Sequence, residues 1–229
     1  MEKHADKTQT SPNKSLQNVE NAKLITILAL AKLAEYRDDD TGLHLERIRE
    51  YTKIITDEMA KKPKYNKYIT AEYIEDIYYS SILHDIGKVG IPDGILLKPG
   101  KLSNKEFEVI KKHCILGGDV LSDIEAQIGV QTFLTLGKEI AYYHHEKWNG
   151  KGYPKGLKGE EIPLSARIVS IADVYDALTS QRIYKKAFSH QKAKEIIILE
   201  RARSFDADVV DCFLNRESDF IKVRNQIQK

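Results

Sequence analysis

An all-α domain is what this sequence predicts, on three observations. Apolar residues recur at three- and four-residue spacing in one segment after another, strand-like alternation is nearly absent, and Gly and Pro gather in two stretches. About 200 residues patterned in this way are enough for one hydrophobic core. Residues 1–19 carry almost no large apolar side chain and are rich in polar residues. They bury too little surface to offset the entropy of ordering. A flexible tail or linker is expected there, followed by one compact multi-helix domain over residues 20–229.

The first helix begins near Asn21, with Leu24, Ile27, Leu28, Ala31 and Ala34 on one face. A second starts near Leu43 and puts His44 on the same stripe as Ile48, Tyr51 and Ile55. Ile74, Ile77, Tyr78, Ser81 and Ile82 form a third, which delivers His84 and Asp85 at its end before Gly87 stops it. Phe107, Ile110 and Cys114 define a fourth that carries His113, and Phe133, Leu136, Ile140 and His144 a fifth. A sixth, over 167–179, holds Asp173 among Ile168, Ile171, Ala172 and Tyr175. Two more, over about 191–202 and 209–227, close the chain. The Gly- and Pro-rich stretches, 86–102 and 148–163, each follow a His-bearing helix end. Long loops so placed are usually functional, and these two are expected to wall one cleft.

Composition excludes several classes of function. Lys plus Arg is 36 against 34 for Asp plus Glu, a net charge of +2, which leaves no electrostatic footprint for duplex nucleic acid or an anionic membrane. The longest apolar run, 24–31, is far shorter than the ~20 residues of a membrane span. The N-terminus has no signal-peptide pattern. Cys114 and Cys212 are far apart and form no C-x-x-C pair, so neither a disulfide framework nor a zinc clip is expected. A reducing, cytoplasmic setting follows.

Five of the seven histidines, His44, His84, His113, His144 and His145, lie on apolar helix faces or at helix ends beside the two loops. A lone His on such a face is more often a hydrogen-bonded core residue than a ligand. Together with Asp85 and Asp173 they bring more polar groups towards one core than burial tolerates without a cation. Imidazole and carboxylate suit iron, manganese, nickel or zinc, and no thiolate is expected at the site to select a softer metal. The donors outnumber one ion's needs. Asp85, with two oxygens, could bridge two ions, an arrangement that activates water and clamps a phosphoryl oxygen. More than one divalent ion is therefore expected.

His44, the pair His84-Asp85 and Asp173 resemble the H…HD…D core of the HD superfamily of metal-dependent phosphohydrolases. The strings HDIGKVGIPDGILLKPGKL and HHEKWNGKGYPKGLKGEEIPLSARIVSIADVYDALTSQRIYKK are similar to those of its HD-GYP subgroup. The resemblance covers about residues 21–215. It implies a phosphodiesterase that opens cyclic di-GMP to linear pGpG and onward to GMP, with a GYP surface open to diguanylate cyclase or regulatory-domain partners. It implies two or three divalent transition-metal ions, iron or manganese, with the ligand set His44, His84, Asp85, His113, His144, His145 and Asp173. Asp40 stands in the D-T-G-L-H string where members with a third metal have Glu. Lys88 maps onto a phosphate-binding cation, and Gly152, Tyr153 and Pro154 onto the signature loop. Arg182 and Lys185 map onto contacts to guanine and phosphate edges, with a solvated helix end as the bland alternative. Asn149 replaces the usual Asp and is expected to keep the hydrogen bonding of a turn. Two rivals remain: a hydrolase of 3',3'-cGAMP, and a catalytically weak binding or protein-interaction module.

Overall fold

The computed structural model describes residues 25–35, 43–129, 132–181 and 186–227, and these are helical with no strand among them. The expected tail at 1–19 lies outside the described residues. Residues 25–35 form α1, and α2 (Leu43–Met59) and α3 (Ala71–Ser80) follow. Two short 3-10 turns, Ser81–Leu83 and Ile86–Gly90, flank His84 and Asp85. Next come α4 (Asp93–Leu96), α5 (Asn104–Ile110), α6 (Lys112–Ile128), α7 (Phe133–Tyr143), α8 (Leu164–Thr179), α9 (His190–Leu199), α10 (Ala207–Asn215) and α11 (Glu217–Gln226). No helix among the described residues is long and apolar enough to cross a membrane.

Helix boundaries follow local chemistry. Thr70, Thr132 and Ser189 cap α3, α7 and α9 by accepting a backbone N–H, and Ser103 with Glu106 makes a reciprocal capping box on α5. Gly129, at φ 73°, ends α6 in the left-handed conformation that glycine adopts without strain. Two expected helices are each divided. The fourth breaks at Lys111 into α5 and α6, and the last breaks at Arg216 into α10 and α11. Periodicity runs through such breaks because both halves turn apolar residues to the same core.

Helix α2 packs on α3, α8, α10 and α11, while α7 packs on α3, α6 and α8. The larger core joins α2, α3 and α8–α11 around Tyr51, Tyr175, Phe213 and Phe220. Tyr51 stacks on Phe220 at 4.5 Å, and Tyr175 meets the same ring edge-on at 5.0 Å. Each such fully buried side chain contributes roughly 1.5–3 kcal/mol. A smaller cluster gathers Ala31, Leu45, Ile82, Leu83, Leu121, Phe133 and Ala141. Gly87 sets the distance between the 3-10 turn and α6, since a Cβ there would lie 2.0 Å from the carbonyl oxygen of His113 and 2.4 Å from the Gly117 nitrogen. That contact draws Asp85 up to His113.

Candidate metal centre

Carbonyls at helix and turn ends aim the imidazoles of this fold, two of them, Ser81 and Ile140, while also accepting a backbone N–H. The Nδ1 of His84 donates to Ser81 O at 3.0 Å, that of His113 to Ile110 O at 2.6 Å, and that of His144 to Ile140 O at 2.9 Å. The break between α5 and α6 is what makes the Ile110 carbonyl available. On α2, His44 Nδ1 donates to Asp176 Oδ2 at 2.7 Å. In all four rings Nδ1 carries a proton, so Nε2 of the neutral ring presents a lone pair, the arrangement in which histidine binds a metal.

Those Nε2 atoms converge on Asp85. Its Oδ2 lies 3.3 Å from His84 Nε2 and pairs with Lys88 Nζ at 2.8 Å. Its Oδ1 lies 3.1 Å from His113 Nε2 and 3.6 Å from His144 Nε2. Neither Asp85 Oδ1 nor His144 Nε2 has a hydrogen-bond partner, although both are buried. Asp173, on α8, brings Oδ1 to 3.9 Å from His44 Nε2. Orphaned, buried donors of this kind fit a divalent cation. The donors fall into two groups, His113 with His144 and His145 on one side and His44 with His84 on the other, with one oxygen of Asp85 turned to each.

Electrostatics agree with this. Burial pushes the Asp85 carboxyl up, but the charges of Lys88 and His84 outweigh it and hold the group well below the usual carboxylate range. Burial also pulls His144 down, and pulls His145 well below the usual imidazole value with the charge of His144 adding to it, so both stay neutral and able to ligate. Burial opposes charge on His84 and His113 too, but Asp85 raises the first and lifts the second to about 10, and His44 shifts the same way. Burial opposes its charge, yet the Asp176 hydrogen bond and the nearby carboxylates lift it to about 9.

Several residues at the site carry no sequence signal that periodicity reveals. Asp176 orients His44 and is itself clamped by Arg47, Nε to Oδ1 at 2.5 Å and Nη2 to Oδ2 at 2.9 Å. It lies one turn after Asp173, so a second carboxylate on the same helix face was the available clue. Glu35, at the end of α1, joins His44 and His84, and burial pushes its carboxyl up to about 7. Where no thiolate was expected the structure places a buried sulfur, a thiol that burial pushes up. Cys114 Sγ lies 3.4 Å from His113 Nε2 and close to His144 and His145, because the first turn of α6 points both residues into the cluster.

The loop over 148–163 buttresses the centre. Tyr153 lies over His145 with ring centroids 4.8 Å apart and meets Phe107 edge-on at 6.0 Å. Its hydroxyl is held well above the usual range by burial. Buried Glu146 accepts from the Lys155 and Gly156 nitrogens at 2.7 and 3.0 Å and so pins the turn after Pro154. A Cβ on Gly152 would lie 2.3 Å from the Lys147 nitrogen, which is why glycine stands there. Asn149 accepts from the Lys151 nitrogen at 3.0 Å, the turn hydrogen bond expected of it. His190 is apart from the centre, hydrogen-bonded to the Tyr175 hydroxyl. Asp40, Arg182 and Lys185 lie outside the described residues.

Comparison with known proteins adds the following. The HD domain family matches residues 26–209. A cyclic di-GMP phosphodiesterase of Vibrio cholerae is 49% identical over 205 residues, which is 90% of this chain and 42% of the relative. A 3'3'-cGAMP-specific phosphodiesterase of the same organism is 38% identical over 85% of this chain and 35% of its own length. Among solved structures, an HDG"Y"P protein from Bdellovibrio bacteriovorus superposes with a TM-score of 0.56 at 19% identity, over 87% of this chain and 60% of that one. The chain spans about half the length of the curated relatives it matches.

Proposed function

The chain belongs to the HD domain family, in its HD-GYP subgroup, and from that premise we propose that it is a metal-dependent phosphodiesterase hydrolysing cyclic di-GMP to linear pGpG and onward to GMP. The observation that carries this reading is the convergence of imidazole lone pairs on the two oxygens of one buried carboxylate, Asp85. Two or three iron or manganese ions are held by His44, His84, Asp85, His113, His144, His145 and Asp173, with Asp40 as a further carboxylate.

Such ions supply Lewis-acid stabilisation of a phosphoryl oxygen and a water that ionises near neutral pH. The protein's own residues do the rest. Asp85 stays ionised and bridges the two donor groups. Lys88, held against Asp85, presents a cation to the phosphate of the bound dinucleotide. Tyr153 and the loop through Gly152 and Pro154 fix the plane of His145 and form the floor of the substrate cleft. Arg182 and Lys185 contact the guanine and phosphate edges. The protein acts in the cytoplasm, where a diguanylate cyclase or regulatory domain meets the GYP surface. A mixed cyclic GMP-AMP substrate is the second reading, favoured by the cGAMP-specific relative at 38% identity.

The test is turnover of cyclic di-GMP and 3',3'-cGAMP by protein loaded anaerobically with Fe²⁺ or with Mn²⁺, products separated chromatographically, beside Asp85→Ala. Wild type is expected to form pGpG faster than it opens cGAMP, and Asp85→Ala to be inactive with its helical circular dichroism retained. A cGAMP preference moves the reading to the second substrate. Tight dinucleotide binding without turnover by metal-loaded wild type makes the protein a binding module.

A further inference from the structure

Helix α1 rests on the domain by a narrow face. Ala31 and Ala34 are buried, Ile27 and Leu28 are partly buried, and Ile25, Leu30 and Leu33 remain 66, 56 and 68% exposed. One ion pair, Lys32 Nζ to Glu46 Oε1 at 2.9 Å, ties its flank to α2. At its end stands Glu35, a charged residue only 4% exposed. Its Oε1 lies 3.7 Å from His44 Nε2, too far for a hydrogen bond, and its Oε2 is buried with no partner at all.

The neighbours of this carboxylate make no hydrogen bond to its Oε2. His44 and His84 have each committed their Nδ1 proton, to Asp176 and to the Ser81 carbonyl. In their neutral forms both turn Nε2 lone pairs inward, and those atoms are only 3.4 Å apart. A carboxylate facing two lone pairs is unfavourable until a positive centre stands among them. The ligand atoms of Glu35, His44 and His84 all lie within 4.8 Å of one another. Two imidazoles and one carboxylate with open positions beyond them suit a divalent iron-type ion.

We propose that Glu35 is a metal ligand which, with His44 and His84, holds one ion of the centre and thereby clamps α1 to the domain. This rests on the metal centre of the proposed function but not on its substrate. It assigns a ligand from the element that enters the domain first. By linkage, occupancy of this ion and docking of α1 stabilise one another. A displacement of α1 withdraws one carboxylate and leaves the donors of the His113 group in place.

The experiment compares metal-free wild type with Glu35→Gln, which keeps size and polarity and removes the anion. Mn²⁺ bound at equilibrium is counted by electron paramagnetic resonance of the free ion, and amide hydrogen exchange of residues 25–35 is followed with and without Mn²⁺. Wild type is expected to bind one more Mn²⁺ per chain than Glu35→Gln. Its α1 amides are expected to exchange up to roughly a hundredfold more slowly at free Mn²⁺ about 100 times Kd, an effect absent in the variant. Equal Mn²⁺ counts in the two proteins, or equal protection of α1, overturn the proposal. Should Glu35→Gln lose its helical circular dichroism, Glu35→Asp serves instead. It keeps the charge one methylene short, and unchanged Mn²⁺ affinity and α1 protection in it overturn the proposal equally. Absence of cyclic di-GMP turnover alongside the expected Mn²⁺ difference sinks only the substrate reading.

Discussion

Asp176→Asn tests how the centre is held without touching any of its proposed ligands. The wild-type carboxylate is 1% exposed and accepts from Arg47 twice, from His44 Nδ1 at 2.7 Å and from Ser180 Oγ at 3.2 Å. The amide is nearly isosteric but neutral, and one of its two ends donates where Arg47 or His44 also donates. The Arg47 guanidinium, itself 9% exposed, is left buried without its counter-charge. Breaking a buried pair in this way costs about 3–5 kcal/mol. At 2–4 °C per kcal/mol for a chain of this size, the melting temperature should fall by roughly 6–20 °C. The imidazole loses the partner that fixes its tautomer, so affinity for Mn²⁺ should fall about 10- to 100-fold. Burial raises the Asp176 carboxyl, but the Arg47 and His44 hydrogen bonds outweigh it and hold the group down to about 2. Its stabilisation is therefore present above the ordinary value of 3.8 and is lost as pH falls through about 2. The wild-type-minus-variant difference should be flat from about pH 6 to 4, shrink below that as Asp176 protonates, and shrink above it as His44, held up to about 9 by the same pair, gives up its proton. Thermal melts with and without Mn²⁺ measure both quantities, and Arg47→Met combined with Asp176→Asn should be less destabilised than the sum of the single variants. A variant that melts within about 2 °C of wild type and binds Mn²⁺ equally well would refute the reasoning.

Three further outcomes are expected. Gly87→Ala should destabilise the fold by about 3 kcal/mol and reduce bound metal, because its Cβ would overlap the backbone of α6 at His113 and Gly117; denaturant melts and metal analysis check both, and normal values for each would show that the turn can shift. Arg182→Ala should lower cyclic di-GMP turnover tenfold to hundredfold, and Lys185→Ala less, with metal content unchanged and hydrolysis of bis(p-nitrophenyl) phosphate nearly unaffected; equal losses on both substrates would assign these residues to the fold or metals. Mn²⁺ uptake by metal-free protein at pH 7 should release protons, since His44 is held up to about 9 and must be neutral to ligate. Affinity should then rise with pH up to about 10, where His113 also gives up its proton, and calorimetry in buffers of different ionisation enthalpy reads the proton count directly.

The sequence by itself determined the helices and the imidazoles they carry. Helical periodicity is a property of neighbours within a few positions, so placing His44 on the stripe of Ile48 and Ile55, or Asp173 among Ile171 and Ala172, needed no knowledge of the fold. The loop glycines Gly100, Gly150, Gly156 and Gly159 were legible for the same reason, since each answers to the positive φ of its own backbone. Where a helix breaks was less legible, as at Lys111, because both halves turn apolar residues to one core. Only the tertiary structure decided what each imidazole leans on and what faces it. Asp176 meets His44 across 132 positions and Arg47 across 129; Glu35 reaches His84 from a helix that local pattern makes an ordinary amphipathic one. Cys114 reads as a core residue until the turn of α6 sets its sulfur beside His113. These are pairings between distant segments. Their energy comes from burial that the assembled helices impose, and local sequence carries no record of it.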